Sequence, residues 1–198
     1  MSKTVTFYYD YGSPTCYLAW TQLPAICDKH GASLVRKPVL LGGIFKATGN
    51  STPVAIPAKA AWMMADISRF AAHYGVPFSK APNFPFNSVP SMRGAIWAST
   101  LSKLEDYDKA LFEAAWVNQV DIGNVDILKE VVGASGLDAE AFAAAIQTDG
   151  IKRGLIDTTN EAVAAGAFGA PTFVVDGVMH WGQDRLPWIE RAISRPAA

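Results

Sequence analysis

Val5-Thr6-Phe7-Tyr8-Tyr9 is a short β-branched and aromatic run that ends in the turn cluster Asp10-Tyr11-Gly12-Ser13-Pro14. That cluster carries helix-start chemistry, so a strand feeding a helix is expected. From Thr15 to His30 the apolar residues Tyr17, Leu18, Leu23, Ile26 and Cys27 fall mainly at helical spacings, and Gly31 suits a left-handed cap. Ser33 to Pro38 reads as a second strand, completing a β-α-β unit whose strands should run parallel.

The pattern then changes. A Gly/Asn/Pro-rich stretch from Gly42 to Pro57 reads as loop, after which Ala60, Met63, Met64, Ile67, Phe70, Ala71 and Tyr74 repeat at three- and four-residue steps. Gly75 and Pro77 stop that helix. An irregular segment from Val76 to Pro90 is followed by helical patterns near Met92–Leu104, Tyr107–Val120, Asp126–Val132 and Ala139–Gln147, with no strand among them. A further helix over Ile151–Ala165 ends at Gly166, and Pro171 to Val175, Asp176-Gly177 and Val178 to Trp181 spell a β-hairpin. Asp184 opens a last helix with an acidic cap and an early proline at Pro187.

The resulting order is β-α-β, an all-helical insert, then α-β-β-α, an α/β chain with an outer domain over 1–45 and 151–198 around a helical insert domain over 46–150. The 198 residues are 50% hydrophobic, enough for a sizeable core and against disorder. With 17 Lys and Arg against 18 Asp and Glu and no run of like charge, the chain lacks the footprint of a nucleic-acid or anionic-membrane binder. No apolar stretch approaches the roughly 20 residues of a bilayer span, and Met1-Ser2-Lys3-Thr4 runs straight into a strand, so a soluble cytoplasmic protein is expected. Cys16, Cys27 and the scattered His30, His73 and His180 give neither a disulfide framework nor metal spacing, and no metal is expected.

That order, with Pro171 directly before the hairpin, resembles the thioredoxin fold, and Ser13-Pro14-Thr15-Cys16 lies where thioredoxin-like oxidoreductases carry Cys-x-x-Cys. In those proteins the helix N-terminus stabilises the first thiolate. Here the position holds Ser13, so a two-thiol exchange cycle is closed by that route. What remains is a helix end suited to a thiolate, with a hydroxyl on it, and the sulfur must come from elsewhere. A charge-assisted hydrogen bond of about 1.5–3 kcal/mol and a helix terminus of about 0.3–1 kcal/mol bring a free thiol from about 8.5 to near 7. Ser13 itself is not read as the attacking group, because no Gly-x-Ser-x-Gly elbow occurs and no histidine is near it in sequence.

The run Asp10-Tyr11-Gly12-Ser13-Pro14-Thr15-Cys16-Tyr17-Leu18-Ala19 resembles the active-site segment of the superfamily of 2-hydroxychromene-2-carboxylate isomerases and kappa-class glutathione transferases, with a DsbA-like thioredoxin fold. Gly43 to Asn50 followed by Lys59, and Phe168 to Phe173 with Trp181-Gly182-Gln183-Asp184-Arg185, resemble two further segments of that family. The resemblance covers essentially the whole chain. It implies glutathione as cofactor, with Ser13 bonding its thiolate and Ala170, before a cis Pro171, pairing its backbone with the tripeptide. Asn50 and Lys59 would face the glycine end or the second substrate, while Trp181, Gly182, Gln183 and Asp184 form the γ-glutamyl end. Lys46, with Asn50, would meet the substrate carboxylate.

The family's isomerase pattern has polar and basic residues shortly after the Gly-Asn pair, where this chain has Ala55 and Ile56, so Lys46 or Arg93 must supply the cation. Structural roles compete for the same residues. Ser13 and Asp184 are good helix N-caps, Cys16 and Cys27 suit packed helix positions, and Trp62, Met63, Met64, Trp97 and Trp116 read as core or interface more than as substrate wall. His180 reads as a strand histidine, and Asp10 as a partner of buried backbone or of Arg185. The first reading is a glutathione-dependent isomerase of a small aromatic carboxylate, acting as a homodimer. A kappa-class transferase is the alternative, and a non-catalytic DsbA-like binding module is the rival from another class.

Overall fold

The computed structural model describes residues 2–194. Met1 and residues 195–198, the latter assigned above to the outer domain, lie outside the described residues. The chain opens with β1 (Thr4–Tyr9), α1 (Pro14–Lys29) and β2 (Ser33–Pro38), and β1 pairs with β2 in parallel. It closes with β3 (Thr172–Val175) and β4 (Val178–Trp181), an antiparallel hairpin whose first strand lies antiparallel to β1. The sheet order is β2-β1-β3-β4, so β1, ending just before Ser13, is an inner strand.

Alternation along β1 sorts the two faces of the sheet. Val5, Phe7 and Tyr9 point into the main core, where Phe7 stacks on its register partner Phe173 at 5.3 Å and packs with α1 and the helices beyond. Tyr8 points the other way, into a smaller cluster with Val39, Ile44, Ala162 and Ala167.

Between these halves run α2 (Leu41–Thr48), α3 (Pro57–Tyr74), α4 (Val89–Thr100), α5 (Leu104–Trp116), α6 (Val125–Ala134), α7 (Ala139–Ala145) and α8 (Asp149–Ala164). Trp116, Tyr107 and Phe142 are fully buried among them. Gly94 lets α4 and α5 meet closely, since a Cβ there would overlap the Tyr107 hydroxyl, which donates to the Ser91 carbonyl at 3.0 Å. A β-carbon at that position would have to displace a buried ring.

The expected loop over Gly42–Pro57 contains α2, so that part of the reading is corrected. Two glycines and no local N-cap hide the helix in the sequence; its support is non-local. Asp10 Oδ2 accepts the Leu41 amide at 2.8 Å and Thr159 Oγ1 accepts the Leu40 amide at 2.9 Å, satisfying donors that a helix start leaves open. Ile44 is buried, and Gly49 ends the helix at φ 70°. The expected acidic cap at Asp184 is also corrected. Gln183–Arg185 forms a 3-10 turn without a side-chain cap bond, and α9 (Leu186–Ser194) follows it.

Candidate active site

Inner strand β1 delivers Asp10-Tyr11-Gly12 to the point where α1 starts. Ser13 takes the N-cap conformation at φ −106° and ψ 115°, its amide donates to the Asp10 carbonyl at 3.0 Å, and its Oγ accepts the Cys16 amide at 3.3 Å. Pro14 fits N1, where its missing N–H costs nothing. Beneath the turn the buried Asp10 carboxylate accepts from Gly12 and Leu41, each at 2.8 Å, so of its two expected roles it takes the one toward backbone. Burial holds this carboxyl above its usual range even with those donors.

The opposite side of the Ser13 hydroxyl faces the start of β3. Ala170–Pro171 is a cis peptide, as expected, and the Ala170 carbonyl oxygen lies 3.5 Å from Ser13 Oγ. Thr172 Oγ1 donates to the Gly169 carbonyl at 2.8 Å and the Gly182 amide to the Pro171 carbonyl at 3.0 Å, which fixes this segment from both ends. Trp181 lies so close over Gly169 that a Cβ there would come within 2.6 Å of the indole nitrogen.

Ser13, Ala170, Trp181, Gly182, Gln183 and Asp184 line a cleft of about 510 Å³. Asn50 and Lys59 line it as well, so eight residues named from the sequence meet at one place. Lys46 does not join them; it is exposed on the last turn of α2, outside the cleft wall. Arg93 is likewise outside it, with its guanidinium donating to the Ile146 carbonyl at 3.4 Å.

Several of these groups are pre-set by partners. Asn50 Nδ2 donates to the Phe168 carbonyl and its Oδ1 accepts the Ser51 amide, both at 2.8 Å, which clips the loop after α2 onto the segment before β3. The Tyr74 hydroxyl donates to Gln183 Oε1 at 2.8 Å, orienting the buried Gln183 amide with its NH2 available. Asp184 pairs with Arg185 at 3.2 Å and stays half-exposed.

Several cleft residues escape the sequence reading. Trp62 and Met63, expected in the core or an interface, belong to the cleft wall with Ile56 and Phe45. Lys59, Trp62, Met63, Asp66, Ile67 and Phe70 follow one stripe of α3 at helical spacing, a signal visible in the sequence but indistinguishable there from a core-facing stripe. Thr15 also lines the cleft, and its Oγ1 is 2.9 Å from Ser13 Oγ.

The protein's own thiols are withdrawn from this chemistry. Cys16 and Cys27 are buried, and burial pushes the Cys16 thiol up to about 12 and the Cys27 thiol up to about 11. Among the described residues no group of three or more His, Cys, Asp or Glu side chains is placed to hold a metal ion, and no helix is long and apolar enough to cross a membrane.

A hydroxyl-capped helix end facing a cis proline is the arrangement of a thioredoxin-type site with its first thiol replaced, and the DsbA-like thioredoxin domain model matches residues 4–194. The chain belongs to this family. Within the DsbA-like family it is 30% identical over 192 residues to the 2-hydroxychromene-2-carboxylate isomerase of Sphingobium xenophagum, covering 96% of this chain and 97% of that one. It is 29% identical over 204 residues to glutathione S-transferase kappa 1 of Homo sapiens, covering 94% and 88% of the two chains. A solved 2-hydroxychromene-2-carboxylate isomerase superposes with a TM-score of 0.89 at 26% identity, covering 97% of this chain and 95% of that one. This DsbA-like chain therefore sits in the isomerase and kappa-transferase branch, a branch of enzymes, as its three motifs imply.

Proposed function

We propose that this protein is a glutathione-dependent isomerase of 2-hydroxychromene-2-carboxylate or a closely related aromatic ketoacid. The observation that carries the reading is the Ser13 hydroxyl, capping α1 in a cleft from which both of the chain's thiols are withdrawn. Full-length similarity to named isomerases supports the reaction class.

The residues present fit the tripeptide. A cleft of about 510 Å³ falls within the range of roughly 300–1,000 Å³ usual for small-molecule sites. The Ala170 backbone faces the Ser13 hydroxyl, so a cysteine moiety pairs with the former while the latter donates to the sulfur. The Gln183 NH2 group and the Asp184 carboxylate suit the carboxylate and ammonium of a γ-glutamyl end, with Trp181 and Gly182 shaping the wall. Asn50 and Lys59 face the glycine end or the second substrate. Glutathione supplies a sulfur nucleophile that adds reversibly to the conjugated substrate, frees rotation and leaves again. The protein's part is to hold the thiol proton away: the α1 N-terminus and the Ser13 O–H both favour an anion at the cleft floor.

Lys46 is off the cleft wall, so Lys59 takes over the substrate carboxylate in this reading, helped by the Asn50 side of the cleft. Ile56, Trp62, Met63 and Phe45 make that side apolar and suit an aromatic ring. The same apolar wall favours a second reading, a kappa-class transferase conjugating small electrophiles. A cytoplasmic homodimer belongs to either reading, and sedimentation tests the dimer.

Incubation with glutathione and 2-hydroxychromene-2-carboxylate tests the reaction. Isomerised product with glutathione returned in full is expected. A stoichiometric conjugate selects the transferase, and absence of any turnover with either class of substrate overturns both.

A further inference from the structure

Ser13 Oγ has more neighbours than one hydroxyl can serve without order among them. It accepts from the Cys16 amide at 3.3 Å, lies 2.9 Å from Thr15 Oγ1, and reaches the Ala170 carbonyl at 3.5 Å. A hydroxyl offers one hydrogen and two lone pairs. If Ser13 donates to Thr15, its hydrogen is spent within the protein. If Thr15 donates to Ser13, both lone pairs are filled by Thr15 and Cys16, and the Ser13 hydrogen, held within the protein only by the long 3.5 Å contact to the Ala170 carbonyl, is free to turn to the cleft. Which direction holds decides whether Ser13 can serve an anion at all.

Three features of Thr15 favour the second direction. It occupies the second position of α1, where its side chain is β-branched and restricted at χ1. The carbonyl four residues back, that of Tyr11, already accepts the Trp116 indole N–H at 2.8 Å. Thr21, Thr100 and Thr159 all donate to a carbonyl of their own helix, at 2.7, 2.7 and 2.6 Å, whereas among the described residues the Thr15 hydroxyl is directed at Ser13. An anion in the cleft pulls the Ser13 proton outward and polarises the chain of hydroxyls in the same sense.

We propose that Thr15 is a positioning residue: its hydroxyl donates to Ser13 Oγ and thereby turns the Ser13 proton toward the sulfur of the bound thiol. The inference rests on the glutathione reading above. It explains why a polar residue stands between Pro14 and the buried Cys16 at the lip of an otherwise apolar helix start. It also assigns to Thr15 an effect on the ionisation of the bound thiol that is separate from the cleft's grip on the tripeptide.

The test compares wild type, Thr15→Val, which keeps shape and loses the hydroxyl, and Thr15→Ser, which keeps the hydroxyl. The thiolate ultraviolet absorbance of each glutathione complex is titrated against pH, and affinity for S-methylglutathione, which has no ionisable thiol, is measured by calorimetry. Thr15→Val is expected to weaken ionisation of the bound thiol about three- to tenfold, with S-methylglutathione affinity unchanged and Thr15→Ser near wild type. A wild-type titration curve in Thr15→Val overturns the inference alone. An equal loss of S-methylglutathione affinity overturns it too, because Thr15 then shapes the cleft and not the proton. If wild type itself shows no ionised bound thiol, the glutathione reading fails and this inference with it.

Discussion

Asp10 Oδ2 lies 2.8 Å from the Leu41 amide, and that bond ties the turn before Ser13 to the first residue of α2. Its other oxygen holds Gly12 at 2.8 Å, so one buried carboxylate serves two backbone donors from different parts of the chain. Asp10→Ala leaves two part-buried backbone donors without their carboxylate partner, which should cost roughly 1–3 kcal/mol of stability. Urea unfolding measures it; a loss below half a kcal/mol contradicts the account. Glutathione affinity should fall in the same variant, since Leu41 and Gly12 both line the cleft.

Ser13→Ala removes the hydroxyl and the cap together. The cap accounts for about 1 kcal/mol of stability. Loss of a hydrogen bond to a charged sulfur, about 1.5–3 kcal/mol, should lower turnover by roughly 10- to 150-fold and abolish the thiolate absorbance of bound glutathione. Retained absorbance at neutral pH would remove Ser13 from the chemistry.

Ser13→Cys should restore a two-thiol site, because Cys16 already stands at the position of the second sulfur and its amide faces position 13. Exposure to oxidised glutathione is expected to consume two titratable thiols, leaving Cys27 as the one that alkylates under denaturing conditions. Alkylation of all three thiols after oxidation counts against the thioredoxin-type geometry of this helix end.

Asp108 is buried with Tyr9 and Tyr11 donating to its Oδ1. Burial pushes its carboxyl up to about 7. The two tyrosines and Arg36 pull the other way, but Arg36 Nε stands 3.8 Å from Oδ2, too far for a hydrogen bond, and offsets only part of the cost. The folded state thus keeps a proton that the unfolded chain gives up near pH 4. The stabilisation is complete below that pH and is lost as pH rises to about 7, with a slope of at most about 1.4 kcal/mol per pH unit. Asp108→Asn should flatten this slope in unfolding measurements across pH 4–7. An unchanged pH dependence would show that Asp108 is ionised throughout.

The strands, the long helices and the Ser13 and Gln183–Asp184 segments are legible because their signals are local: alternation, turn residues, caps and motif spacing. Helix α2 is not, because the bonds that satisfy its first amides come from Asp10 and Thr159, distant in sequence. The acidic residue before α9 misleads for a related reason: Asp184 has the residue type of a cap, yet the chain spends it in a 3-10 turn where its carboxylate meets Arg185 and the cleft. Trp62 and Met63 show a third kind of limit, since an apolar stripe on a helix looks the same whether it covers a core or borders a cleft. Lys46 carries the right charge, but helix α2 turns it to solvent.

The stripe of α3 from Lys59 to Phe70 contributes side chains to the cleft but no part of the turn at Ser13 or the segment at Ala170. In the proposed reading, acceptance of an electrophile and retention of the sulfur anion therefore fall on separate stretches of chain. On that proposal, exchange of residues along one helical face should redirect such a scaffold from rearranging a ring-opened acid to capturing a reactive halide or epoxide, with the nucleophile's berth left intact.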